Sequence, residues 1–167
     1  FQVWLRYFFF NMSKVKIASW NVNSVRARID LLLNWIKKKN PDVILLQEIK
    51  AREEDFPYDA FDNFNYNIKV NGQKSYNGVA ILSKFTLSDV ETNIPLLEDN
   101  QSRYLEAWVN YKSSGFRVAS VYAPNGNPVN SDKFDYKLNW LKYFYKHIKK
   151  LLNNEEIIVL GGDYNIC

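Results

Sequence analysis

Cysteine occurs once in this chain, at Cys167. No disulfide can form within it, which suits a reducing compartment. Histidine also occurs once. His147 stands between Lys146 and Ile148 in a predicted amphipathic helix, without the neighbours that metal or nucleophile motifs require. It reads as a surface or boundary residue. No apolar run reaches the ~20 residues needed to span a bilayer. No repeat, linker or low-complexity segment is present, so the 167 residues form one domain large enough to bury a core. The net charge of +4 permits a polyanionic partner without demanding one.

The first eleven residues, FQVWLRYFFFN, lack the basic start and small-residue cleavage site of a secretory signal. Met12 follows and reads as the natural start. Residues 1–11 are then an extraneous or disordered extension, and residues 12–167 the domain. A vestigial anchor and a genuine extra strand are the alternatives.

Hydrophobic periodicity orders the rest. Lys14 to Trp20 alternates polar and apolar, as a strand does. Ser24 is placed to cap a helix whose face is Ile29, Leu32, Leu33 and Ile36. Lys37, Lys38 and Lys39 favour its C-terminal dipole, and Asn40-Pro41 stops it. Val43 to Leu46 is a continuous apolar run, expected of a strand buried on both faces. Strand, helix and strand make a βαβ unit. Further strands are predicted at Tyr66–Val70, Val79–Leu82, Tyr104–Tyr111 and Phe116–Tyr122, with a hairpin turn at Ser113-Ser114-Gly115. A helix from Asp132 to Leu152 carries Phe134, Leu138, Leu141, Tyr145, Ile148 and Leu152 on one side. Ile157–Leu160 is the last strand.

Four of these strands run apolar and then end in a residue able to act on a phosphate or a metal. The ends are Asn21, Gln47-Glu48, Tyr122, and Asp163 with Asn165. In α/β sheets, ligands bind outside the carboxyl ends of strands. Glu48 is the kind of oxygen ligand that Mg²⁺ takes alongside water and phosphate. Asp163 has the chemistry of a general base. Asn21 and Asn165 orient a water or a phosphate oxygen without adding charge, and Tyr122 donates to phosphate. Singly, each reads as a loop, capping or core residue. As a set they describe metal-assisted phosphodiester hydrolysis.

The wording around these residues resembles the exodeoxyribonuclease III family of apurinic/apyrimidinic endonucleases. Ile17-Ala18-Ser19-Trp20-Asn21-Val22-Asn23-Ser24-Val25-Arg26 is similar to its opening motif, and Leu46-Gln47-Glu48-Ile49-Lys50 to its metal-carboxylate motif. Tyr76 to Leu82 resembles the strand that follows. Val121-Tyr122-Ala123-Pro124-Asn125-Gly126 resembles the catalytic tyrosine loop, and Gly162-Asp163-Tyr164-Asn165 the Gly-Asp-X-Asn motif.

The resemblance implies a mixed-sheet α/β sandwich of the endonuclease/exonuclease/phosphatase type, truncated after the Gly-Asp-X-Asn strand. It implies that Glu48 binds Mg²⁺ (or Mn²⁺), with Asn21 holding the metal and phosphate region. Tyr122 contacts the scissile phosphate, Asp163 positions or deprotonates the attacking water, and Asn165 stabilises the phosphate. Asn23, Arg103 and Asn125 fall where the family contacts DNA. The implied partner is double-stranded DNA with abasic sites or 3′ ends, met by a monomer in the cytoplasm, at the nucleoid, with no membrane. The family's later part adds strands, a DNA-binding region and a Ser-Asp-His motif that have no counterpart here. Little or no activity is therefore expected of this portion alone. A non-catalytic DNA- or partner-binding fragment, and a phosphatase or phospholipase of the same superfamily, are the other readings.

Overall fold

The computed structural model describes residues 4–10 and 13–166, with side chains from Lys14 onward. Met12 and Cys167 lie outside the described residues. The chain runs β1 (Trp4–Phe10), β2 (Ser13–Asn21), α1 (Ile29–Lys39), β3 (Val43–Gln47), β4 (Asn67–Asn71), β5 (Val79–Ser83), β6 (Leu87–Glu91), β7 (Tyr104–Tyr111), β8 (Ser114–Tyr122), α2 (Asp132–Asn153) and β9 (Ile158–Asp163). Two short 3₁₀ helices, Glu53–Asp55 and Tyr58–Phe64, lie between β3 and β4. Neither α-helix is long and apolar enough to cross a membrane.

One sheet has the order β1-β2-β3-β5-β4 and the other β6-β7-β8-β9. Both are mixed. β2 runs parallel to β3, and β8 parallel to β9, while the other pairs are antiparallel. β1 pairs antiparallel along the outer edge of β2. Its Trp, Tyr and Phe content favours a pleated conformation.

The period-two alternation of the strands assigns the layers. Val43 and Leu45 of β3, with Val79 and Ile81 of β5, face Leu105, Ala107, Phe116 and Val118 across the two sheets. Ile44, Leu46, Ala80 and Leu82 point the other way, onto Leu32 and Ile36 of α1. Ala119 and Val121 of β8 point away from the inter-sheet core onto Trp140 of α2. The result is a helix, two sheets and a second helix in four layers. The uninterrupted apolar run in β3 is a strand buried on both faces, as its sequence predicts.

Four expectations change. Ser24 does not cap α1. It has φ 84° and its Oγ accepts from Ala27 N at 3.3 Å, whereas the helix begins at Ile29 behind Arg28. The hairpin turn falls one residue early, because Tyr111 pairs with Ser114 and Lys112 supplies a left-handed φ of 56°. The predicted apolar side of α2 is only partly the buried one: Phe134, Leu141 and Ile148 are half-buried, and Leu141 packs against the core. Leu138, Tyr145 and Leu152 are 50–65% exposed, and the buried residues are Trp140, His147 and Leu151. Two apolar stripes compete on this helix. The winner buries larger rings, with Phe144 stacked on Trp140 at 5.2 Å between centroids. Trp140→Ala is expected to cost about 3–5 kcal/mol in urea unfolding. Leu138→Ala should stay within about 0.5 kcal/mol. The opposite ranking would restore the sequence-predicted face.

His147 is likewise not a surface residue. Its Nε2 lies 2.8 Å from Glu106 Oε2, and both side chains are buried. Glu106 points from β7 to the α2 side, where it also accepts from the Tyr104 hydroxyl and pairs with Arg117 at 3.2 Å. Sequence spacing could not reveal this, since the carboxylate that recruits the imidazole lies 41 residues away.

Candidate active site

The two parallel strand pairs end side by side. In the first sheet Asn21 stands in register with Gln47, and in the second Tyr122 stands in register with Asp163. Each pair therefore delivers its polar residues to the same rim, from opposite layers. Asn21 Nδ2 spans the gap, donating to Glu48 Oε1 at 2.8 Å and to Asp163 Oδ2 at 2.8 Å. One neutral amide thus holds a carboxylate from each sheet.

Glu48 is placed by strained backbone. Its φ is 51°, a region that costs a non-glycine residue about 1–3 kcal/mol. Backbone hydrogen bonds on both sides enforce it. Ser24 N donates to Glu48 O at 2.7 Å, Ile49 N to Gly78 O at 3.1 Å and Lys50 N to Asn77 O at 3.0 Å. The turn aims the carboxylate at the rim instead of continuing β3. Burial pushes its carboxyl upward, but hydrogen bonds from Asn21, Tyr122 and Lys50, with the Lys50 charge, bring it below the ordinary value. Lys50 Nζ sits 3.2 Å from Glu48 Oε2 and also donates to Asn23 Oδ1.

Tyr122 is pushed up to about 12, by burial first and then by the neighbouring Glu48 charge. It is a protonated phenol at neutral pH, a donor. The Arg103 guanidinium lies over its ring, 4.9 Å from the centroid, and is oriented by Gln101 Oε1, which accepts from Arg103 Nε at 2.8 Å. The guanidinium carbon also lies 6.0 Å from the centroid of the Tyr136 ring of α2.

Asp163 is held at both oxygens, by Asn21 at Oδ2 and by Asn165 N at Oδ1, 3.1 Å. Its approach depends on glycine. A Cβ at Gly162 would come within 2.1 Å of Val121 O, so only glycine lets β9 run so close to β8 here. Asn165, at φ 49°, donates one amide hydrogen to Ala123 O at 2.8 Å and keeps the other. Asn23 and Asn125 lie exposed on the rim.

Asn21, Glu48, Asp163 and Asn165 are therefore one hydrogen-bonded group, with Tyr122 near Glu48 and Arg103 over the Tyr122 ring. Two contributors escaped the sequence reading. Lys50 was only part of a motif. Lys137 of α2 was unremarked, yet its Nζ donates to Asn165 O at 2.6 Å and to Asn125 O at 3.2 Å. It ties the loop after β8 to the loop after β9. No local pattern signals a residue that bridges two loops from a third element.

Comparison with known proteins bears on the family and the fold. The sequence pattern described as the Endonuclease/Exonuclease/phosphatase family matches residues 18–167. Exodeoxyribonuclease III of Haemophilus influenzae is 34% identical over 154 residues, 91% of this chain and 58% of that protein. The exodeoxyribonuclease of Bacillus subtilis is 29% identical over 159 residues, 92% of this chain and 59% of that one. A Neisseria 3′ phosphatase, solved with a product DNA hairpin, superposes with a TM-score of 0.85 at 37% identity, covering 91% of this chain and 58% of its own. An AP endonuclease from Archaeoglobus fulgidus gives 0.82 at 33%, covering 89% and 56%. The chain thus spans somewhat over half the length of these relatives. With its motifs in order along both sheets and its polar strand ends at one rim, the chain belongs to the endonuclease/exonuclease/phosphatase family.

Proposed function

We propose that this portion of the fold carries the phosphate- and metal-binding side of a DNA-directed phosphodiesterase that acts at abasic sites and 3′ ends. The observation that carries the reading is the Asn21 amide, 2.8 Å from a carboxylate of each sheet. The relatives named for exodeoxyribonuclease, AP endonuclease and 3′ phosphatase activity supply the substrate class.

The donor set fits a hard divalent cation. Among the described residues no group of three or more His, Cys, Asp and Glu gathers, so a thiolate or imidazole cage is not what these residues build. They offer two carboxylates and neutral oxygens, which is what Mg²⁺ uses, with Mn²⁺ as a substitute. Glu48, ionised and already paired with the Lys50 ammonium, is the residue that would hold the ion, with Asn21 beside it. Such an ion polarises the phosphoryl group and neutralises developing charge.

The chain's own residues do the rest. Asp163 accepts a proton from the attacking water, with Asn21 and Asn165 N fixing its two oxygens. Tyr122 donates to a phosphate oxygen, kept protonated by its raised pKa. The free amide hydrogen of Asn165 and the Arg103 guanidinium meet the remaining phosphate charge. Asn23 and Asn125, on the exposed rim, would contact the flanking DNA strand. The only imidazole is held by Glu106 and is not available to Asp163, so we expect this portion alone to turn over more slowly than a full-length relative, by about 10²–10⁴-fold.

The test is cleavage of abasic duplex DNA, and phosphate release from a 3′-phosphate end, with Mg²⁺ or EDTA. Metal-dependent turnover lowered at least about 10²-fold by Glu48→Ala supports the reading. Turnover indifferent to EDTA, or confined to a soluble inositol phosphate, would sink it. Salt-sensitive DNA binding without turnover would favour a binding role. Lys137→Met is expected to lower turnover about tenfold with little change in Tm, since it frees two loops and removes no reacting group.

A further inference from the structure

Asn77 stands in the loop between β4 and β5 and is 5% exposed. A buried amide must find partners for its polar atoms. Here the backbone and the side chain of one residue serve different sheets. The carbonyl accepts from Lys50 N at 3.0 Å, next to Gly78 O, which accepts from Ile49 N at 3.1 Å. Those two bonds hold the turn that carries Glu48 after β3. The side chain reaches the segment ahead of β7. Asn77 Nδ2 donates to Gln101 Oε1 at 3.1 Å and to Gln73 Oε1 at 3.0 Å. Gln101 Oε1 also accepts from Arg103 Nε at 2.8 Å, and Gln73 Oε1 from Ser102 N at 3.2 Å. A guanidinium and a backbone N–H can only donate, so both Oε1 atoms are acceptors. Asn77 must then turn its NH₂ toward them, since its own oxygen would face two oxygens. The residue type follows from both demands. Asparagine tolerates the φ of 53° better than most side chains, and its NH₂ supplies two hydrogens from that backbone.

We infer that Asn77 is a positioning residue: its amide, through Gln101, aims the Arg103 guanidinium across the Tyr122 ring, while its carbonyl holds the Glu48 turn. It is a buried tie between the phosphate-facing cation of one sheet and the carboxylate of the other, in addition to the Asn21 amide at the rim. Without the Gln101 acceptor, Arg103 keeps the bond from Nη1 to Tyr122 O at 3.3 Å and can pivot about it. The cation then meets the phosphate in many orientations instead of one, which lowers the rate without removing a reacting group. This consequence rests on the function proposed above, in which Arg103 meets phosphate charge; the bonded link from Asn77 to Arg103 does not.

Asn77→Gly in the full chain is the test. Glycine keeps the positive φ and the carbonyl on Lys50 N, and removes the amide alone. The first readout needs no substrate. Exchange of the Arg103 Nε–H proton with water, followed by NMR, should be at least about tenfold faster in the variant. The second readout is single-turnover cleavage of abasic duplex DNA with the chain in excess. The maximal rate should fall about tenfold, while half-saturating Mg²⁺ stays within about twofold of wild type because the Glu48 turn is kept. In an Arg103→Ala background the same change should cost less than about twofold, since its effect passes through the guanidinium. Gln101→Ala breaks the same link from a half-buried position and should reproduce both readouts. It carries the test if Asn77→Gly lacks a single thermal transition. Unchanged Nε–H exchange, or a rate loss that persists without Arg103, overturns the inference. Faster Nε–H exchange in a chain whose wild type shows no metal-dependent turnover upholds the link from Asn77 to Arg103 and counts only against the nuclease reading.

Discussion

Asp163→Asn is expected to slow metal-dependent cleavage of abasic DNA by about 10²–10⁴-fold, with KM and Tm little changed. The native carboxylate meets two donors, Asn21 Nδ2 at one oxygen and Asn165 N at the other. An asparagine has one oxygen for those two donors, so its NH₂ must face one of them. The substitution removes the proton acceptor and also loosens the amide that spans the two sheets. Glu48 keeps Tyr122 and Lys50, so the phosphate side of the site survives and binding is spared. Single-turnover rates at saturating Mg²⁺ separate the cases. An unchanged rate would remove Asp163 as the base, and a rise in KM alone would make it a binding residue.

Glu106→Ala should produce the largest loss of stability, about 3–5 kcal/mol in urea unfolding at neutral pH. Its side chain is 2% exposed and serves Tyr104, His147 and Arg117 together. Removing it leaves a buried phenol and imidazole without their acceptor, and Arg117 with Glu156 as its remaining carboxylate. Burial pushes the Glu106 carboxyl up, yet the hydrogen bonds from His147 and Tyr104, with the His147 and Arg117 charges, carry it below the ordinary 4.5. A depressed carboxyl stabilises the fold fully above its unfolded pKa, and this contribution fades as pH falls through the lower folded value. Wild-type stability should therefore drop below about pH 4.5 more steeply than that of Glu106→Gln. A loss under about 1 kcal/mol for Glu106→Ala would mean that water reaches the cluster.

The legible parts of the sequence share one property, that their signal is local. The β3 run, the α1 face and the stop at Asn40-Pro41 follow from periodicity and backbone chemistry within a few residues. The carboxyl ends of four strands were readable as a set because each polar residue closes its own apolar run. Their meeting was not readable, for it depends on two parallel pairs in different sheets ending at the same level. What failed was competition or distance. On α2, Leu138, Tyr145 and Leu152 match a helical stripe as well as Trp140, Phe144 and Leu151 do, and only the surface of β7 and β8 decides between them. β6 went unseen because Leu87–Glu91 is mostly polar, with a bulge that breaks its alternation. His147 and Lys137 take their roles from partners on other elements.

Beneath the rim, Gln47 Nε2 donates to Ser120 Oγ at 2.9 Å, and Ser120 Oγ donates to Leu46 O at 2.8 Å. These bonds join the middle of the two sheets one residue below Glu48. Because Glu48 and Asp163 sit on opposite sheets, their separation is a gauge of the thickness of the sandwich. A bulkier side chain between the layers is then felt at the rim as a change in carboxylate spacing, without touching either carboxylate. Gly161 is the sharpest case, since a Cβ there meets Leu45 Cδ1 at 2.6 Å and Ser19 Cβ at 3.1 Å. Adjustments to core volume in this fold are, in effect, adjustments to the bite of its active site.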